Sequence, residues 1–299
     1  MTAEDSDAQG GTVRLRKGVS VIGLGNWGSS LAAAAVGSGI PLVEVVVRKA
    51  SSRRRFGAVA VRILRDAALD AEVLWICVPD EEIAVVAEAI VARRVSLQGQ
   101  IVVHSSGALT VAALETAKRA GARVGGIAPV FSFPTQEPVS LNGVLFAVEA
   151  APAVWRKLGS LVKSLGGRPF QISSETKVLY HAAATMSSPL MVSALDAAVA
   201  TAKLAGLKSS DAEAVVGVLA TATLGNYFEK GSERSFSGAF ARGDVETVEL
   251  HLRALLAHRT LNDVYAALAR NAVASLPVRR RRQLERLLRI HRVQGGVRN

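Results

Sequence analysis

Gly23-Leu24-Gly25-Asn26-Trp27-Gly28 lies between the apolar run Val19-Ser20-Val21-Ile22 and the helix-prone stretch Ser30-Leu31-Ala32-Ala33-Ala34-Ala35-Val36. A short strand, a glycine turn and a helix opening, in that order, form the fingerprint of a dinucleotide-binding unit. In that reading Gly23 permits the tight turn and Gly25 lets a pyrophosphate approach the backbone. Gly28 lets the helix pack close to its strand. The free N–H groups and the dipole at the helix start then favour an anion. Gly23, Leu24, Gly25, Asn26, Trp27 and Gly28 are therefore the expected nucleotide-facing residues, the alternative being a purely structural glycine turn.

Leu42-Val43-Glu44-Val45-Val46-Val47 is β-branched enough to be the second strand. About twenty residues beyond the glycine turn, an NAD-type site carries an acid for the ribose 2′-OH, whereas an NADP-type site carries an arginine. This chain offers Arg48, Lys49, Ser51, Ser52 and Arg53 there, and no acid. A carboxylate would repel a 2′-phosphate, and a guanidinium can bind it through two N–H groups. The expected cofactor is NADP(H), held by Arg48, Ser51 and Arg53; the plainer reading of these residues is a solvated basic loop.

The remaining pattern continues as alternating strands and helices. Residues 58–64 read as a third strand, 65–71 as a short helix and 72–78 as a fourth strand. A helix then begins at Pro79-Asp80-Glu81-Glu82. Asp80 suits an N-cap, and Val78, Pro79 and Asp80 also suit the wall of the cofactor site. Ile101-Val102-Val103-His104 is the next strand, with Ser105-Ser106-Gly107 turning into another helix. Ligands of open α/β sheets sit beyond the carboxyl ends of the strands, where these serines fall. Ser105 and Ser106 are thus candidates for receiving a substrate carboxylate or carbonyl, or for simple helix capping. Strands follow at 124–133, 145–148 and 169–172, with a helix at 153–165. The fold class is α/β, a doubly wound and mainly parallel Rossmann sheet, followed by an all-α domain. The expected parts are a disordered leader (1–17), the nucleotide domain (18–173), a helical substrate and dimerisation domain (174–291) and a basic tail (292–299).

Composition narrows the function classes. At 299 residues, 49% apolar and 20% charged, the chain has the balance of a soluble globular protein. The net charge of +11 is local. It comes from Arg48, Lys49, Arg53, Arg54 and Arg55, and from an arginine-rich C-terminus that opens with Arg279-Arg280-Arg281-Arg282. That tail lacks aromatics or a base-reading motif, so no nucleic-acid partner is expected. The single cysteine, Cys77, lies in an apolar strand and reads as an inert core thiol. One cysteine allows no internal disulfide, and Glu4, Asp5 and Asp7 open the chain without a signal peptide's basic start, so a cytoplasmic setting is expected. Gly37-Ser38-Gly39, Pro41 and Glu44 interrupt the most apolar window, and no membrane partner is expected.

After residue 173 the strand signals stop and 3.6-residue periodicity takes over. Lys177, His181 and Ser188 fall on one helical face at spacings of four and seven, and Pro189 should kink that helix. A lysine or histidine aimed at a nicotinamide can supply the proton that accompanies hydride arrival at C=O or C=N. Lys177, His181 and Ser106 are accordingly the catalytic candidates, each weighed against a solvated or hydrogen-bonded structural role. Arg242, in a glycine-bearing interruption before a helix capped by Asp244, could clamp a substrate carboxylate or pair with a neighbouring acid. His251 and His258 lack the further ligands of a zinc site, so no metal is expected.

Several separated segments together resemble one family. These are Gly23 to Gly28, Val78-Pro79-Asp80, His104-Ser105-Ser106-Gly107-Ala108, Leu179-Tyr180-His181-Ala182-Ala183, and Arg242-Gly243-Asp244 with His251. The chain resembles bacterial Rossmann-like proteins whose second half is a helical domain of unassigned function, akin to the C-terminal domain of 6-phosphogluconate dehydrogenase. These are relatives of ketopantoate reductase, pyrroline-5-carboxylate reductase and the deazaflavin-dependent NADP reductases. The resemblance implies an NADP(H)-dependent oxidoreductase that reduces a small 2-keto acid, ketopantoate-like, or an imino acid. It also implies dimers formed through the helices, and a substrate near Ser105, Ser106, His181, Ser188 and Arg242. This chain departs from the family pattern twice, with Ala128-Pro129 in place of His-Pro, and Ser188 in place of asparagine before Pro189. Those departures motivate the alternative of a non-catalytic, NADP(H)-binding redox sensor.

Overall fold

Strands buried on both faces read as continuous apolar runs, and the first unit of the chain is built from such strands. The computed structural model describes residues 15–49, 59–94 and 96–295, with backbone only for 292–295. In it β1 (Val19–Ile22), β2 (Leu42–Val47), β3 (Ala60–Ile63), β4 (Val73–Ile76), β5 (Ile101–His104), β6 (Arg123–Pro129), β7 (Leu145–Ala150) and β8 (Arg168–Gln171) form one sheet. Its order is β3-β2-β1-β4-β5-β6-β7-β8. Every neighbouring pair is parallel except β6 with β7, where Gly126 faces Glu149. The order reverses direction at β1, between β2 and β4, the point where open α/β sheets bind ligands.

The two faces of the sheet carry separate cores because successive side chains point to opposite sides. Val19, Val21, Val73, Trp75, Ile101 and Val103 pack on one face with α1 (Asn26–Gly37) and α4 (Pro152–Ser164). Ile22, Leu74, Ile76 and Val102 pack on the other with α2 (Asp80–Arg93) and α3 (Glu115–Arg119). The fold class read from the sequence is the one observed.

Several local expectations change. Residues 65–71 are not a helix: a single 3-10 turn, Leu64–Asp66, gives way to an irregular loop. Side chains from elsewhere hold that loop. The buried Glu44 carboxylate accepts from the backbone N–H groups of Ala68 and Leu69, and Gln100 donates to the carbonyls of Leu69 and Ala71. The strand expected at 124–133 ends at Pro129. The turn after β5 leads first into a 3-10 segment, Val111–Leu114, and only then into the short α3. Within the expected leader, Leu15 is buried and the amides of Arg16 and Lys17 donate to Glu72, so residues 15–17 belong to the folded unit.

The chain divides into compact units at Met1–Ala184 and Thr185–Asn299, later than the boundary expected at 173. The division falls inside α5 (Lys177–Ser187), so the first turns of that helix belong to the sheet unit. No strand follows β8 among the described residues. The second unit comprises α6 (Pro189–Leu204), α7 (Ser209–Ser235), α8 (Gly238–Arg242), α9 (Val245–Leu255), α10 (Arg259–Ser275) and α11 (Arg281–Gly295). Its core lies between the last three, where Val248, Leu252, Ala266, Val273, Leu284 and Leu288 meet. The arginine-rich segment is therefore an amphipathic helix seated on a core. α6 and α7 differ sharply, since α6 buries no residue and α7 buries only Ala212. One helical stretch, Lys177–Leu204, is long and apolar enough to cross a membrane by length and composition. Ser188 interrupts it with a non-helical φ of −129° and ψ of −90°, and Pro189 restarts the helix at its first turn.

Candidate functional site

The glycine turn between β1 and α1 uses its three glycines differently. Gly23 has φ +104°, and a Cβ there would lie 2.4 Å from the Cys77 carbonyl oxygen. A Cβ at Gly28 would lie 2.0 Å from the carbonyl oxygen of Gly23. Both residues are glycine because backbone meets backbone. Gly25 is the opposite case, with nothing within 4 Å of a built Cβ. It borders a cleft of about 440 Å³ at the carboxyl ends of β1, β2 and β4. No side chain caps α1, and its first turn holds no acid. Open space over Gly25 beside an uncapped helix start is a cradle that a pyrophosphate would fit.

Gly23, Leu24, Gly25, Arg48, Val78 and Pro79, six of the expected cofactor residues, line this cleft. The other expected cofactor residues serve neighbouring contacts. Asn26 Nδ2 donates to the Phe133 carbonyl at 2.8 Å, tying the turn to the loop after β6. Trp27 packs against Trp75, Phe133 and Phe146. Pro79, not Asp80, is the N-cap of α2, and the Asp80 carboxylate accepts a 2.8 Å bond from Ser106 Oγ. Ser51 and Arg53 lie outside the described residues. Arg48 Nη1 sits 2.7 Å from Glu82 Oε1, and both residues border the cleft.

The two serines after β5 are more committed than their sequence context implies. Ser105 Oγ accepts from the indole N–H groups of Trp27 at 2.7 Å and Trp75 at 2.8 Å, and lies 3.8 Å from Cys77 Sγ. A hydroxyl has two lone pairs, so both are taken, and Ser105 joins two tryptophans rather than waiting for a substrate. Burial pushes the neighbouring Cys77 thiol up to about 12, so it stays protonated at neutral pH although it borders the cleft. Ser106 donates to Asp80 and accepts from the amides of Ala108 and Leu109. Its one proton and both lone pairs are engaged, so it is built into the turn and is not free to hand a proton on.

Lys177 and His181 share α5 but meet opposite surroundings. Lys177 is 1% exposed, with Nζ 2.8 Å from Glu149 Oε2 on β7, itself 4% exposed. The other oxygen of Glu149 accepts from the Val111 amide at 3.0 Å and from Ser174 Oγ at 2.5 Å. Burial alone would raise the Glu149 carboxyl, but these hydrogen bonds outweigh it and hold the group below the usual carboxylate range. A Cβ at Gly126 would lie 2.9 Å from Lys177 Nζ and 3.4 Å from both Glu149 Oε2 and His104 Cε1. Glycine at 126 thus makes room for the ammonium. His104 accepts the Ser106 amide on Nδ1, so its Nε2–H donates to the Thr110 carbonyl. Burial, reinforced by the charge of Lys177, brings His104 down to about 4.

This buried group, which the sequence reading missed apart from Lys177, fastens the turn after β5 to the start of α5. Its one visible signal is an acid at position 149 within the otherwise apolar strand Leu145-Phe146-Ala147-Val148-Glu149-Ala150. His181, one helical turn beyond Lys177, is exposed, and its ring crowds Gly107, where a Cβ would lie 2.9 Å from Cδ2.

The remaining candidates lie in the second unit. Ser188 is the N-cap of α6 with non-helical backbone, outside the helix α5 that carries Lys177 and His181. Arg242 lies 2.8 Å from the Asp244 carboxylate, which accepts from it and makes no capping bond to α9. His251 Nδ1 lies 2.9 Å from the hydroxyl of Tyr265, whose pKa burial raises to about 12. Among the described residues no cluster of acids, histidines or cysteines could hold a metal ion.

Residues 1–129 match the family model described as a Rossmann-like domain, and residues 144–272 match a domain of unknown function, DUF2520. The two matches follow one another along the chain, separated by residues 130–143. That is the pairing its separated motifs imply. No curated protein matches the sequence. Among solved structures it is similar to protein TM1727 from Thermotoga maritima, with 21% identity, TM-score 0.68, and coverage of 92% of this chain and 99% of that one. It is also similar to a reductive aminase from Aspergillus terreus in complex with NADPH and ethyl-5-oxohexanoate, with 15% identity, TM-score 0.64, and coverage of 90% and 99%. A third is a pyrroline-5-carboxylate reductase from Coxiella burnetii, with 17% identity, TM-score 0.55, and coverage of 93% and 98%. At these identities the likeness is one of fold.

The glycine turn separates folding from binding. Gly28→Ala forces a Cβ into a carbonyl 2.0 Å away, and should cost at least about 3 kcal/mol in urea unfolding. Gly25→Ala meets open space and should leave unfolding unchanged while abolishing nucleotide binding. The buried histidine gives a second test. Between its unfolded pKa of 6.5 and its folded value of about 4, the unfolded chain binds a proton at His104 that the folded chain does not. Stability should therefore fall as pH drops through that window, by up to about 3 kcal/mol. His104→Gln should start less stable and lose distinctly less over the same window, in denaturation curves compared at about pH 7 and about pH 4.5.

Proposed function

We propose that this protein is an NADP(H)-dependent oxidoreductase that reduces the carbonyl or imine carbon of a small molecule, working in the cytoplasm. The observation that carries this reading is the open cradle over Gly25 in a cleft that also holds Arg48. NADPH, when bound, supplies the hydride. The chain's own residues bind and orient it: Gly25 admits the pyrophosphate, the start of α1 offers N–H groups, and Arg48 meets the 2′-phosphate. His181 is the proposed proton donor, exposed beside Gly107 at the end of β5, whereas Lys177 is held by Glu149 and serves to position the helix. The Coxiella protein is described as a pyrroline-5-carboxylate reductase and the Aspergillus protein as a reductive aminase, which supports carbonyl or imine chemistry. A 2-keto acid of the ketopantoate type or a cyclic imino acid is the substrate to try first.

A second copy of the chain is the proposed partner, docked through α6 and α7. Leu190, Val192, Val218, Leu219, Tyr227 and Phe228 are all exposed there, more apolar surface than a monomer ordinarily shows to water. The alternative of a redox sensor that binds NADP(H) without turnover is favoured by the commitment of Ser105 and Ser106 to structural bonds and by alanine at 128.

The test is oxidation of NADPH, followed by its absorbance, against a panel of 2-keto acids, ketones and cyclic imines. Turnover is expected, and His181→Asn should lower kcat by about 10²-fold or more with NADPH binding unchanged. Binding without any turnover would favour the sensor. Light scattering should give twice the chain mass, and Leu219→Asp with Phe228→Asp should halve it while leaving nucleotide binding in place.

A further inference from the structure

We infer that Glu82 sets the balance between phosphorylated and unphosphorylated nicotinamide cofactor by competing with the 2′-phosphate for Arg48. The inference rests on the proposed nucleotide site and concerns a residue with no role in it so far. Among the described residues bordering the cleft, Glu82 is the one acid, alongside the cations Arg48 and Lys49. It is the third residue of α2, yet its carboxylate reaches across to the end of β2, where Oε1 lies 2.7 Å from Arg48 Nη1.

The pair sits at the rim. The Arg48 side chain is 78% exposed and that of Glu82 36% exposed. An ion pair this open to water contributes little and exchanges partners readily. A 2′-phosphate arriving at the end of β2 needs the same guanidinium, and it carries more charge than the carboxylate it would displace. Glu82 then becomes an unpaired anion next to an anionic ligand, which weakens NADPH binding. A ribose 2′-hydroxyl is different, being a donor that a carboxylate can accept. In NAD-type sites that acid stands at the end of the second strand. Here the strand end is Arg48 and the acid comes from a neighbouring helix, so one rim holds an acceptor for the hydroxyl and a cation for the phosphate.

Calorimetry with NADPH and with NADH separates the possibilities, using the full chain, Glu82→Gln, Arg48→Ala and the double variant. Glu82→Gln keeps the shape of an exposed side chain, and unchanged thermal unfolding would confirm that it folds. The ratio of Kd for NADH to Kd for NADPH should rise about three- to fivefold in Glu82→Gln, the upper range of one rim ion pair released. On the Arg48→Ala background the same substitution should tighten NADPH by less than about twofold, because the contested cation is gone. An unchanged ratio in Glu82→Gln, a shift toward NADH, or a full gain persisting without Arg48 would each overturn the inference. If the unaltered chain binds neither nucleotide, the proposed site itself falls, and the role of Glu82 with it.

Discussion

A buried carboxylate needs partners for its charge, and Glu149 finds three, drawn from two distant parts of the chain. Lys177 comes from α5, Ser174 from the segment leading into that helix, and the Val111 amide from beyond the β5 turn. Removing one partner of such a pair is costly, about 3–5 kcal/mol, because the other charge is left in a poor solvent. The turn and the helix therefore cannot shift independently. The exposed imidazole proposed to donate a proton inherits its place from charges that never meet water. His104 extends the arrangement, since its neutral ring fixes the Ser106 amide and the Thr110 carbonyl on either side of the same turn.

How much of this was readable in advance depended on the range of the forces involved. The strands β1, β2, β4 and β5 stood out because burial on two faces demands unbroken apolar runs, and the glycine turn stood out because backbone crowding demands glycine. Helix and loop at 65–71 could not be told apart, since local propensity there is overridden by Glu44 from β2 and by Gln100 from the residue before β5. Ser105 and Ser106 carried the right chemistry at the right edge, but a hydroxyl's partners are set by tertiary packing. Two indoles and an aspartate had already taken them. The pairing of Lys177 with Glu149 was invisible for the same reason, although an acid in an apolar strand already calls for a buried partner.

The cleft at the end of β1 and the helical unit use charge in contrasting ways. At the cleft, Arg48 and Glu82 are paired where water can still separate them. In the helical unit, Arg242 is joined to Asp244 within a single tight corner, where Gly243 adopts φ +71° and a Cβ would strike the Arg279 carbonyl. The first arrangement is open to water and easily parted. The second shapes the entry to α9, and its side-chain bonds lie within three consecutive residues.

Gly126 and Lys177 belong to different parts of the sequence, yet they occupy what is nearly one volume. Any side chain at 126 displaces the ammonium, and any shorter residue at 177 leaves a void beside a buried anion. Drift at either position is thus harmless only in the company of the other and of Glu149, so the three should be inherited, or lost, as a single trait.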